Sequence, residues 1–310
     1  MKKLWFTIII LVLLAVLDSL PNSTTPQSLE DDLAPVINGN VEVEAKLPEP
    51  ISIKTSTKSF YQGDPVLFEL SGVKELSEVK EVTFNGVELV PFIQKGLVMS
   101  LVGLDLHLEP KRYGVKLVLS DGRVATSSLL VLERKVPTAP LGIPDSLGGN
   151  SATSTDELVK TLAQEAKVIN GIRTRPTKLW TESFGYPTAK PVVTDTYGYG
   201  RETNGIVLAH KGTDFRAPVG TKVYSINVGR VAYTGFLRNY GNLVAVDHGA
   251  GALSIYMHLS KISVTSGQML KKGELLGLSG DTGYVLGPHL HLTVRLNGVS
   301  IDPMKFIKLF

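Results

Sequence analysis

His289-Leu290-His291-Leu292-Thr293-Val294-Arg295-Leu296 alternates polar and aliphatic residues without a break. A period of two belongs to a half-buried β-strand and not to a helix. It sets His289, His291, Thr293 and Arg295 on one face and four aliphatic side chains on the other. The two imidazoles then point the same way, with Cα atoms roughly 7 Å apart, near enough to serve one site. Arg295 shares that face, where a guanidinium is expected to pair with a ligand carboxylate. H-x-H is also what alternation leaves on any wet strand face, so the pattern argues for a strand before it argues for a site.

Around this strand, from Trp180 to the end, short apolar runs alternate with Gly-rich turns, and five of the six histidines fall there. His210-Lys211-Gly212-Thr213-Asp214 supplies an imidazole and a carboxylate, both good zinc ligands, across a glycine that predicts a turn folding them together. Alone, that spacing reads equally as a local His–Asp hydrogen bond. Tyr256-Met257-His258-Leu259-Ser260 puts His258 at the close of a strand that begins near Ala252. His248, in Asp247-His248-Gly249, reads as a turn histidine with a structural or solvent-exposed role.

Each piece is weak; together they carry a resemblance. His210 through Phe215, Ala217-Pro218-Val219-Gly220-Thr221, Tyr240-Gly241-Asn242, Tyr256 through Ser260, Gly267 through Gly273 and Gly287-Pro288-His289-Leu290-His291 resemble the catalytic domain of lysostaphin/LytM-type zinc endopeptidases, in order and in spacing. The run Thr196-Tyr197-Gly198-Tyr199-Gly200-Arg201 departs from that family's spacing at the groove entry. The resemblance implies a strand-rich peptidase domain acting on peptidoglycan peptides. It implies Zn2+ held by His210, Asp214 and His291, with His258 and His289 as catalytic, non-ligand histidines whose roles the sequence leaves unassigned. Three ligands leave a fourth tetrahedral position for water, whose pKa zinc lowers to about 7. Two other functions stay in view: a non-catalytic peptidase-like scaffold, and a carrier domain suggested by the turns of residues 267–280.

Upstream the texture is also β. Asn85-Gly86 and Asp121-Gly122 lie between apolar runs, the strongest short hairpin signal. Pro110-Lys111-Arg112-Tyr113 before a strand is similar to a tyrosine corner, so residues 51–135 are expected to form an immunoglobulin-like β-sandwich. His107 alternates with Leu106 and Leu108 and reads as a structural strand histidine. Residues 136–153 form a Pro/Gly linker. Residues 154–176 form one connecting helix, with Ser154 and Glu157 as a capping box and Leu158, Leu162 and Ala166 at helical spacing. Residues 177–310 are the peptidase domain. The expected fold class is mainly β throughout.

At the N-terminus Lys2 and Lys3 precede an apolar run over 4–17, shorter than the roughly 20 residues of a full span. Residues 1–20 therefore read as a signal peptide or an N-terminal membrane anchor, residues 21–50 as a tether, and the protein as exported to the periplasm or cell envelope. A length of 310 residues allows two domains. The net charge of +3 and the lack of a long basic run argue against nucleic acid as a partner. Without cysteine there are no disulfides.

Overall fold

The computed structural model describes residues 49–143, 149 and 151–310; the signal or anchor segment and nearly all of the tether lie outside the described residues. Among the described residues no helix is long and apolar enough to cross a membrane.

The chain is mainly β. In the N-terminal half, strands Ser52–Lys54, Pro65–Ser71, Leu97–Gly103 and Pro91–Gln94 make one sheet. Ser59–Tyr61, Val124–Leu132, Arg112–Leu119, Val79–Phe84 and Val87–Glu88 make a second. Inward residues of both, among them Val66, Phe68, Leu70, Val82, Val115 and Leu117, close a single core. Asn85 (φ 49°) and Gly86 (φ 76°) are both left-handed, as a two-residue type I′ hairpin requires. The Tyr113 hydroxyl donates to the Glu109 carbonyl four residues upstream, at 2.8 Å. His107 is not on a strand. Asp105 accepts from the His107 amide (2.8 Å) and holds a turn that leaves the histidine exposed, because a local Asx bond outcompetes the ladder there.

The C-terminal half is built on a ten-stranded sheet. Its main path runs Val193–Asp195, Thr213–Arg216, His289–Leu296, Ala252–Ile262, Gly241–Gly249, Gly229–Leu237 and Met269–Leu270. Leu290, Leu292, Val294 and Leu296 face one core with Trp180, Phe215, Tyr256 and Phe306, and Phe92 and Leu101 of the first half join it. The opposite face, which carries His289, His291, Thr293 and Arg295, is covered in part by helix α1 (Ala152–Gly171). Ile169 packs there with Leu243, Ala245, Leu253, Ile255 and Met257.

Helix α1 begins earlier than its capping-box pattern predicts. Ser151 is the N-cap and its side chain accepts from the Ser154 amide at 3.1 Å, while Glu157 pairs outward with Arg238 at 2.8 Å. The helix ends at Gly171, and its buried stripe is Thr155, Leu158, Thr161, Glu165 and Ile169, more polar than the leucine spacing implies.

Arg295 does not face a ligand. Its guanidinium is buried and donates to the carbonyls of Ile169 and Gly298 and to Asn170 Oδ1, closing the C-terminal end of α1. The unpaired carbonyls of a helix end are natural partners for a cation.

Candidate metal centre

Register explains the centre. In the antiparallel pair Thr213–Arg216 and His289–Leu296, Asp214 stands opposite His291 and Arg216 opposite His289. On the other side of the same strand, Met257 stands opposite His291, with His258 next along. His210 reaches back from the loop before Thr213. Gly212 permits this because a Cβ there would sit 2.3 Å from His291 Nε2 and 2.6 Å from the Leu292 carbonyl.

One donor atom each from His210, Asp214 and His291 lies within 4.8 Å of the others. His210 Nε2 is 3.1 Å from Asp214 Oδ1 and 3.0 Å from His291 Nδ1, which is 2.8 Å from Asp214 Oδ1. Their outer partners decide what these atoms offer. His210 Nδ1 lies 2.9 Å from the Thr196 carbonyl and can only donate to it, which leaves Nε2 bare. His291 Nε2 lies 2.9 Å from Thr293 Oγ1, itself a donor to the Lys211 carbonyl (3.1 Å); with the hydroxyl proton so used, the ring donates and Nδ1 is bare. Two bare nitrogens and a carboxylate oxygen thus aim at one point, an arrangement that repels itself unless a cation stands between them. Ligand atoms about 2.1 Å from a tetrahedral metal lie roughly 3.4 Å apart, near the separations here. The donor set fits a borderline N,N,O metal ion such as zinc.

Electrostatics agree. A proton on a facing nitrogen can stand in for that cation: burial raises the Asp214 pKa, but such hydrogen bonds from His210 and His291 outweigh it and hold the carboxyl far below the usual range. Burial opposes a charged His210, yet the Asp214 bond raises its pKa; for His291 burial wins and the pKa falls.

His258 and His289 stand beside these three, their rings 4.8 Å apart, with His289 Nε2 3.8 Å from Asp214 Oδ1. Each gives Nδ1–H to a backbone carbonyl, Thr282 for His258 and Gly287 for His289, both at 2.9 Å. Nε2 is the free nitrogen on each ring. Burial, then His289 and His291, push His258 down to about 3, so its ring is neutral at pH 7. His258 does not end its strand, which continues to Ile262; it sits at φ 62°, a left-handed kink in mid-strand. His248 lies apart, buried in a strand and not a turn, between the Val228 carbonyl and Ser254 Oγ.

A cleft of about 450 Å³ opens over the centre, lined by His210, Asp214, His258, His289 and His291 and walled by Leu141, Arg201 and the segment 284–288. Arg201, from the run that departs from the family spacing, pairs with Asp195 at this wall. Residues 208–303 match the model of Peptidase family M23. This chain carries an M23 peptidase domain.

Among curated relatives, the peptidoglycan DD-endopeptidase ShyA of Vibrio cholerae is 45% identical over 102 residues, 32% of this chain and 23% of that protein. The peptidoglycan DD-endopeptidase ShyB of the same organism is 36% identical over 124 residues, 39% of this chain and 29% of that protein. The alignments thus span under a third of each relative's length. A solved structure named for the M23 family, from Pseudomonas aeruginosa, aligns over 81% of this chain and 96% of its own with a TM-score of 0.59. At 24% identity it shows a shared fold.

All five histidine and aspartate positions singled out in the sequence fall inside the M23 segment. What the sequence does not single out is their support. Thr293 carries a readable signal, since it shares the face of His291. Thr196, Thr282 and the buried pair Glu165 and Asn239 carry none; Glu165 and Asn239 are 74 residues apart and meet only in the folded chain.

Proposed function

We propose that this protein is an exported, zinc-dependent endopeptidase that hydrolyses peptide bonds in the stem peptides or cross-links of peptidoglycan. The observation that carries the reading is the division of four histidines around one carboxylate. Two turn bare nitrogens onto Asp214, and two more stand beside them with Nε2 free. The peptidoglycan DD-endopeptidase relatives support the substrate class, and the N-terminal lysines with their apolar run support export.

His210, Asp214 and His291 would hold the ion. Zinc, when bound, supplies a Lewis acid and lowers the pKa of water to about 7. The chain's own part is proton handling. Of His258 and His289, one ring accepts the attacking water's proton at Nε2 and passes it to the leaving amine. The other can donate to the carbonyl oxygen as that oxygen gains charge only as an imidazolium, with Nδ1–H still on its backbone carbonyl and a second proton taken up at Nε2. Their Nδ1 bonds to backbone carbonyls fix both tautomers before substrate arrives.

The test is digestion of isolated sacculi by the zinc-loaded protein, with mass spectrometry of the soluble fragments. New peptide termini at one bond type are expected. No new peptide terminus in stem or cross-link after exhaustive digestion, with zinc bound, refutes the reading.

A further inference from the structure

The M23 segment begins at residue 208, yet one anchor of its centre comes from a helix that ends before it. Glu165, on the inward stripe of α1, is buried, and among the described residues no lysine, arginine or histidine pairs with it. Its carboxylate accepts from the Asn239 backbone amide (3.0 and 3.2 Å) and from Asn239 Nδ2 (3.0 Å). Thr161, one turn earlier on the same helix, accepts a second bond from Asn239 Nδ2 at 2.9 Å. A buried carboxylate is costly to keep unless its oxygens are satisfied, and here one asparagine satisfies it.

Asn239 joins the two turns that hold His258. Its carbonyl accepts from the Tyr284 amide at 2.8 Å, tying residues 238–241 to residues 281–284. From the first turn, the Tyr240 carbonyl accepts the His258 amide at 3.0 Å. From the second, the Thr282 carbonyl accepts His258 Nδ1–H at 2.9 Å. Both main-chain and ring anchors of His258 therefore rest on turns that Asn239 links. His258 needs them, because φ 62° is an unfavourable conformation for a residue with a side chain and persists only where its surroundings impose it.

We infer that Glu165 is a positioning residue for the reaction proposed above: through Asn239 it holds His258 at the angle its proton transfer requires, so the working unit extends upstream of the M23 segment to α1. The inference rests on that reading for its catalytic part and on geometry alone for its structural part.

The experiment compares the zinc-loaded full chain with Glu165→Gln, Asn239→Asp and the double variant Glu165→Gln/Asn239→Asp. Glu165→Gln turns an amide N–H against the Nδ2 donor, and Asn239→Asp sets two carboxylates face to face. The double variant restores a donor opposite an acceptor. Three quantities are read: zinc content, kcat and KM on soluble peptidoglycan fragments, and hydrogen exchange of the His258 amide by NMR. Each single variant is expected to keep zinc and KM and to lose kcat on the order of 10²-fold, the scale of a 1 Å misplacement. Each should exchange the His258 amide at least about tenfold faster, roughly 1.4 kcal/mol of lost protection. The double variant should recover both. Single variants with kcat and His258 exchange unchanged, even if less stable, overturn the inference, as does a double variant no better than either single. Should the wild-type chain cleave nothing, the proposed function falls, and the exchange rates still decide whether Glu165 positions His258.

Discussion

His291 and His289 sit two residues apart on one strand face, and their ring contacts differ. His291 Nδ1 is 2.8 Å from Asp214, while His289 gives its Nδ1–H to the Gly287 carbonyl. Replacing His210, Asp214 or His291 by alanine should therefore empty the metal site, read as zinc per chain after dialysis. His258→Ala and His289→Ala should keep zinc and lose about 10²–10⁴-fold in turnover, the usual weight of an acid–base residue. A His289 variant that loses the metal beside a His291 variant that keeps it would reverse the assignment. His248 offers a separate test through pH. Burial pushes its pKa down to about 4, whereas in the unfolded chain it takes a proton near 6.5. The unfolded state thus binds more protons between those values, and stability contributed by the neutral ring is lost as pH falls from about 6.5 toward 4. A gap of some 2.5 units corresponds to about 3 kcal/mol. Urea midpoints at pH 7 and pH 4.5 should diverge more for the wild type than for His248→Asn; equal divergence would exonerate His248.

Helix α1 is the element on which site and fold meet. Ser151 Oγ accepts the Ser154 amide at 3.1 Å, one of the orphan donors of the first turn. Ser151→Ala should cost about 1 kcal/mol, the usual loss for a serine cap, and Ser154→Ala less than half of that. For a chain of this size the first change lowers Tm by about 2–4 °C, measurable by calorimetry. A larger effect at Ser154 would restore the capping-box start that the sequence favours. The His289–Leu296 strand shows the same dependence on neighbours. Its alternation separates the faces, but Arg295 is spent on the end of α1, so a shared face does not make a shared site.

Across the whole molecule, Arg134 gathers the two halves. It pairs with Asp64 of the sandwich at 2.6 Å and with Asp302 at 3.2 Å, where Asp302 also caps helix α2 (Pro303–Ile307). All three side chains are largely buried. Phe92 and Trp180 add an edge-on aromatic contact 5.3 Å between centroids. Removing one partner of a buried pair costs about 3–5 kcal/mol, because the remaining charge is stranded. Lys305, 2.7 Å from Asp64, softens the loss, so Arg134→Ala should fall at the lower end of that range. We expect one cooperative thermal transition for the wild type. In the variant the sandwich should melt ahead of the peptidase domain, seen as two resolved calorimetric peaks. A single unshifted peak would show that Arg134 does not couple them.

Much of this was legible in the residues. Strict alternation over His289–Leu296 specifies a strand because the pleat has period two, and Asn85-Gly86 specifies a hairpin because only certain residues tolerate left-handed backbone. The identities of His210, Asp214, His258, His289 and His291 are likewise local facts of the chain. Other features needed the folded chain, and the reason is range. Cross-strand register brought Asp214 opposite His291 across 77 positions, and Thr196 met His210 through its backbone carbonyl, which no side-chain pattern announces. Glu165 and Asn239 look like ordinary surface residues in the sequence. Only tertiary packing buried them together, since a lone carboxylate goes inside when the fold supplies donors from elsewhere in the chain.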